Sequence, residues 1–272
     1  MTLAFAAAAN HAPGIASRRE LAEDAQKAAF FGAYAELAKR FEAARLDALI
    51  VITAEHFSNF FMNNMPSFCI GLAEDYLGPI EDEHFLKIPK RRVPGAAGLA
   101  RAIARDVMAD IDLSHSEELV LDHGLMVPLH LLAPQNNVPV IPLIMNCLAP
   151  PLAPLDRCYR LGQALGRAIA QRPERIGILA TGGLSHWPAM IESGRIGTDF
   201  DQQFVDAFMV GDRAGMTAFS DDTIVKEGGP GGHEIRAWVA LAGAIEGRSR
   251  ELLCYLPIPA YAVTGAVLSA GV

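Results

Sequence analysis

"RIGILATGGLSHWP", residues 175–188, is the stretch whose reading decides the fold. Its first half, Arg175 to Ala180, is apolar and β-branched enough for a buried strand. The chain then turns on Gly182 and Gly183 and presents Ser185, His186 and Trp187 in succession. Either His186 is a core histidine that happens to follow a strand, or it is aimed at a ligand. The other strand ends decide.

Five further runs read as strands: 2–8, 47–53, 118–122, 138–145 and 251–256. Amphipathic segments lie between them. Leu99, Ile103, Val107 and Ile111 recur every four residues, as do Leu161, Leu165 and Ile169. Residues 18–45 predict one long Ala-rich helix. Asp199 is placed to cap a helix carrying Phe200, Phe204 and Phe208. A last helix is expected from about His233, with Ile235, Trp238, Ala242 and Ile245 on one face. Strands alternating with helices predict an α/β fold, with a central mostly parallel or mixed sheet covered by helices on both faces. No repeat or linker divides residues 1–272, and the loops 74–94 and 146–156 read as excursions from a single domain.

Four of the eight histidines follow four expected strands. His11 stands in "ANHAPG", His56 in "VITAEHFSNFF", His123 in "LVLDHGLMVP" and His186 in "ILATGGLSHWP". One such histidine is more often structural than functional. Four at the C-terminal edge of an open parallel sheet point to a ligand site, because that is where such sites form. His84 and His115 sit in charged loops and read as solvated, and His130 reads as structural. In "GGPGGHEIRAW", residues 228–238, a glycine-rich turn delivers His233 and Glu234 to a helix start. Three readings stand for it: an anion cradle, a carboxylate complementing the helix dipole, or a carboxylate delivered to a metal. Two histidines and one carboxylate can hold Fe(II) on one face and leave positions open for substrate and O2. Zinc uses the same ligand types.

Composition narrows the partners. The chain carries a net charge of −8 without a long basic run, which argues against nucleic acid and anionic membranes. No apolar stretch approaches the roughly 18–20 residues needed to span a bilayer. The N-terminal apolar stretch lacks a basic flank and is not expected to be a signal peptide. Four scattered cysteines favour a reducing cytoplasm and buried thiols over a disulfide scaffold. No GxGxxG follows the first strand, so a nicotinamide dehydrogenase is not expected.

These motifs resemble those of the class III extradiol ring-cleavage dioxygenases, the superfamily of protocatechuate 4,5-dioxygenase catalytic subunits. "AEHFSNFFMNNMPSFCIG", "DHGLMVPL", "GGLSHWP" and "HEIRAWV" are particularly similar to the branch that cleaves 3-(2,3-dihydroxyphenyl)propionate. The likeness runs from His11 to "YLPIPAYAVTG" near the C-terminus. It implies an Fe(II) site of His11, His56 and Glu234, with His186 as catalytic acid–base. His123 would be a partner facing the substrate or supporting the ligands from behind. The implied substrates are O2 and a catechol-type ring, with a carboxylated substituent as one option. Asn10 stands where the family usually has Ser or Thr before its first histidine, and the stretch between His186 and Glu234 is shorter than in that branch. Asn59 and Trp187 are expected at the pocket wall, and Asp122 either orients His123 or contacts substrate. A homo-oligomer or a complex with a small partner subunit is also expected. The competing expectations are a hydrolase on the same metal set and a relative lacking dioxygenase activity.

Overall fold

Strand β2 (Ala48–Ala54) is buried at every position, and its side chains alternate between two cores. Ala48, Ile50, Ile52 and Ala54 belong to one apolar cluster, Leu49 and Val51 to the other. That alternation is what a strand covered on both faces requires. The computed structural model describes residues 3–135 and 137–271. Its other strands are β1 (Leu3–Ala9), β3 (Phe68–Gly71), β4 (Asp75–Gly78), β5 (Arg91–Pro94), β6 (Ser114–Ser116), β7 (Val140–Met145), β8 (Ile176–Thr181), β9 (Arg250–Ile258) and β10 (Val263–Ala270). The longer helices are α1 (Asp24–Ala44), α2 (Ala97–Val107), α3 (His123–Leu132), α4 (Leu155–Ala170), α5 (Thr198–Val210) and α6 (Ile235–Ala244).

Eight strands form one mixed sheet in the order β6-β3-β7-β2-β8-β1-β10-β9, and β4 pairs with β5 apart from it. The central four, β7, β2, β8 and β1, are mutually parallel. They therefore end at one edge, with Ala9 level with Thr181 and Ala54 level with Met145. β10, antiparallel to β1, and β9, antiparallel to β10, extend the sheet beyond β1, and β3, antiparallel to β7, extends it at the other end. Helices α2, α4, α5 and α6 cover one face, α1 and α3 the other.

The helix that follows Glu234 is seated by close backbone approach. A Cβ on Gly162 of α4 would lie 1.8 Å from the Ala240 carbonyl oxygen, and one on Gly243 of α6 would lie 2.0 Å from that of Tyr159. Only glycine fits at such a crossing, and it holds α6 firmly against α4.

Several expectations need correction. Residues 118–122 form no strand; Val120 makes an isolated bridge to Leu77, and Asp122 caps α3 with its carboxylate on the Gly124 N–H. The helix expected over 18–45 starts only at Asp24, where Glu23 and Gln26 close a reciprocal cap; a short helix and a turn precede it. Asp199 lies inside the first turn of α5 and does not cap it. Strand β10 was missed because "VTGAVLSA" is buried on both faces and shows no alternation. Residue 2 of the strand expected over 2–8 lies outside the described residues. Loop 74–94 is no mere excursion, since it forms the β4–β5 pair and supplies Glu81 to the site. Among the described residues no helix is long and apolar enough to cross a membrane, and all four cysteines are free and buried.

Candidate metal centre

The shared edge of the parallel strands brings the residues together. β1 runs into His11, β2 into Glu55 and His56, and β8 into the two glycines before His186. His123 is not on a post-strand loop as expected but is the first residue of α3. Glu234 closes a short 3-10 turn, Pro230–Glu234, just before α6.

Glu234 is the centre of the arrangement. Its Oε2 lies 3.2 Å from His11 Nε2. Its Oε1 lies 3.4 Å from His56 Nε2 and 3.5 Å from His186 Nε2. All three imidazoles thus point the same nitrogen at one buried carboxylate.

The opposite nitrogen of each ring fixes what those Nε2 atoms carry. His56 Nδ1 is 2.9 Å from Asp122 Oδ2, and His186 Nδ1 is 3.0 Å from the Leu184 carbonyl. A carboxylate and a carbonyl only accept, so both Nδ1 atoms donate. His11 Nδ1 is 3.0 Å from Thr181 Oγ1, whose own proton goes to the Gly124 carbonyl 2.9 Å away; here too Nδ1 donates. That carbonyl is open because Pro128, four residues on in α3, has no N–H to give it. Each neutral ring therefore aims an Nε2 lone pair at a carboxylate oxygen. Lone pair against carboxylate is repulsive unless a cation lies between them, a proton or a metal. Two ligands about 2.1–2.2 Å from one ion and at right angles stand about 3.0 Å apart, close to the separations from Glu234 to His11 and His56. The donor set fits a divalent metal.

Electrostatics agree. Burial would push His56 down, but the Asp122 and Glu234 carboxylates outweigh it and raise its pKa well above the usual histidine range. His186 is raised in the same way, with Glu234 outweighing burial. Burial dominates at His11, whose pKa falls. Burial would raise Glu234, yet His11 and His186 hold it well below the usual carboxylate range.

His123 faces the same space. Its ring centroid is 4.2 Å from that of His56 and 5.4 Å from that of His11. Donor atoms of His11, His56 and His123 all lie within 4.8 Å of one another. Its Nδ1 is held 2.6 Å from Glu81 Oε1, which also accepts the His123 backbone N–H.

The His186 ring sits between two glycines. A Cβ on Gly183 would lie 2.4 Å from its Cε1, and one on Gly231 would lie 2.3 Å from the same atom. Behind it, buried Asp201 accepts from the Ser185 N–H, Thr264 and Tyr255. Asn10 donates to the Gly182 carbonyl and accepts from the Ala266 N–H, tying β1 to the turn and to β10.

Three expected residues take other places. Asp122 orients His56 and not His123; Glu81 holds His123. Asp122 also accepts from Ser58 Oγ and the Gly124 N–H, so its carboxylate is committed. Asn59 latches both polar groups of Val120, and Trp187 lies under the Arg195 guanidinium. None of the three is among the residues lining the cavity at the histidine cluster. His233 turns away to Arg236. Glu55 and Glu81 were missed: Glu55 carries no signal beside His56, and Glu81 comes from the loop 74–94 that read as an excursion.

Known proteins match this chain along most of its length. The model of the catalytic LigB subunit of aromatic ring-opening dioxygenases matches residues 5–265. A 2,3-dihydroxyphenylpropionate/2,3-dihydroxicinnamic acid 1,2-dioxygenase of Cupriavidus necator is 30% identical over 243 residues, 73% of this chain and 76% of the relative. Enzymes of the same name from a Rhodococcus species (30%, 82% of each chain) and Xanthobacter autotrophicus (29%, 84% and 87%) are also similar. The crystal structure of an uncharacterized Escherichia coli K12 protein shares the fold, with a TM-score of 0.67 at 14% identity over 98% of this chain and 99% of that one. A match that runs from β1 through Glu234 into β10 takes in every residue of the cluster. The chain belongs to the LigB family of aromatic ring-opening dioxygenases and is an extradiol, catechol-cleaving enzyme.

Proposed function

We propose that the protein holds Fe(II) through His11, His56 and Glu234 and opens the ring of a catechol with both atoms of O2. The convergence of three pinned imidazoles on Glu234 carries this reading. Bound iron supplies the charge that favours the deprotonated diol and open positions for diol and O2. The remaining steps fall to this chain's own side chains. His186 is the acid–base: with Nδ1 committed to Leu184, its Nε2 is the one position that takes a proton from the diol and returns it during ring opening. His123, beside His56 and His11 and fixed by Glu81, faces the diol. Asp122 and Thr181 set the tautomers of His56 and His11.

The whole chain, 1–272, is proposed to act as one catalytic unit in the cytoplasm. Exposed Phe61, Met62 and Ile191 support a homo-oligomer or a small partner subunit that covers them. Anaerobic loading with Fe(II), addition of a catechol and measurement of O2 uptake test the function. About one O2 consumed per catechol, with a yellow ring-opened product, is expected. Iron-loaded protein that consumes no O2 with any catechol would sink the proposal. Ala variants of His11, His56 and Glu234 should each lose the iron itself.

A further inference from the structure

We propose that the substrate's ring substituent is uncharged, a short alkyl or aryl group, and not one ending in a carboxylate. This rests on the dioxygenase reading above and names the substrate class of that same site.

The cavity at the histidine cluster measures about 320 Å³, the small end of ligand pockets and enough for one ring with a short substituent. Away from the cluster its side chains are those of small apolar residues, among them Ala12, Pro13, Leu148, Pro188, Ala189 and Ala262. None of the described residues lining it is Lys, Arg, Ser, Thr, Asn, Gln or Tyr. The imidazole Nδ1–H groups are already given to Thr181, Asp122, Glu81 and Leu184. The backbone offers little more: prolines 13, 188 and 230 have no N–H, and the Gly231 N–H is bonded to the His186 carbonyl.

The acidic groups in the lining point the same way. Besides Glu234 there is Glu55, 1% exposed. Its Oε1 accepts from the backbone N–H groups of Ser58, Asn59 and Phe60, while its Oε2 is buried without a partner. Among the described lining residues a substituent carboxylate would meet no Lys or Arg, and it would meet a second carboxyl group at Glu55. Burying an unpaired carboxylate is costly, whereas an alkyl group gains from the same walls.

The test compares two catechols with the same three-carbon chain, 3-propylcatechol and 3-(2,3-dihydroxyphenyl)propionate. Anaerobic calorimetry on the Fe(II)-loaded protein measures binding, and O2 uptake measures turnover. The propyl compound is expected to bind about 100-fold more tightly, the scale set by an unpaired buried charge. Equal or tighter binding of the acid, or no binding of either, overturns the proposal. Tighter binding of the propyl compound without turnover of either leaves the substituent assignment standing and removes the dioxygenase reading. Turnover that favours the acid does the reverse. A variant adds the missing cation: Leu148→Lys, at the cavity rim and 37% exposed, should tighten binding of the acid about tenfold or more and not that of the propyl compound. No gain for the acid would contradict the account.

Discussion

Replacing Asp122 with Asn exchanges one carboxylate oxygen for an amide NH2 and leaves the shape unchanged. In the native protein Oδ1 accepts the Gly124 N–H at 2.8 Å, while Oδ2 accepts from His56 Nδ1 at 2.9 Å and Ser58 Oγ at 3.1 Å. The amide has two orientations, and neither satisfies every partner. If its oxygen stays on Gly124, the cap of α3 survives, since Asn caps as well as Asp, but the NH2 then confronts the His56 Nδ1–H. If it flips, His56 keeps its acceptor and two donors collide at the helix N-terminus. The cap favours the first orientation, which drives His56 toward the tautomer that carries its proton on Nε2. Losing such a buried charged hydrogen bond costs about 1–3 kcal/mol, and loss of an outer partner lowers metal affinity about 10–100-fold. Tenfold is about 1.4 kcal/mol, so the two scales agree. Metal affinity measured anaerobically by competition with a chelator should fall by that factor, and the metal-free protein should lose no more than about 1–3 kcal/mol in urea unfolding. Affinity within about twofold of the parent, with the fold intact, would refute the argument that Asp122 acts through His56.

Three further outcomes follow from the same geometry. Gly231→Ala pushes a methyl into the His186 ring; turnover should fall at least about tenfold while bound iron stays near one per chain, and parallel loss of both would make the ring's place structural. Gly243→Ala drives a Cβ into the Tyr159 carbonyl and should lower the unfolding free energy by about 1–3 kcal/mol, read from denaturant midpoints. The third concerns protons. Because His56 is raised well above the usual histidine range, it is protonated in the metal-free protein at pH 7. Its contribution to stability is complete below the unfolded histidine pKa and is lost as pH rises through the higher folded value. Metal binding at pH 7 must expel that proton, so a weakly buffered titration should release about one proton or more per ion. Affinity should climb with pH up to the raised His56 value, and pH-independent affinity would refute this.

The sequence carried the sheet's centre well, because buried parallel strands are continuous apolar runs that end in turn residues. β1, β2, β7 and β8 each show that signal, and His11, His56 and His186 lie just beyond three of them. His123 was placed near the site for a partly wrong reason. "ELVLD" has strand composition, yet Asp122 turns the chain into α3, and the capping signal is the same Asp-His-Gly that read as a strand exit. What stayed hidden depends on pairings far apart in the chain. Glu81 reaches His123 from a charged loop, Asp201 reaches Ser185 from inside α5, and Asp122 serves the histidine 66 residues before it rather than its own neighbour. No local period encodes such contacts. The cavity's want of a cation likewise became legible only once its walls were assembled.

The most direct test of the division of labour at Glu234 is a His186→Gln variant, compared with His11→Ala under anaerobic Fe(II) loading. Iron per chain and O2 uptake with a catechol are measured on the same samples. If His186 moves protons while His11 holds the metal, His186→Gln keeps its iron and loses turnover, and His11→Ala loses both. Iron that falls with turnover in His186→Gln would make His186 a ligand, and retained iron with normal turnover would remove it from the chemistry altogether.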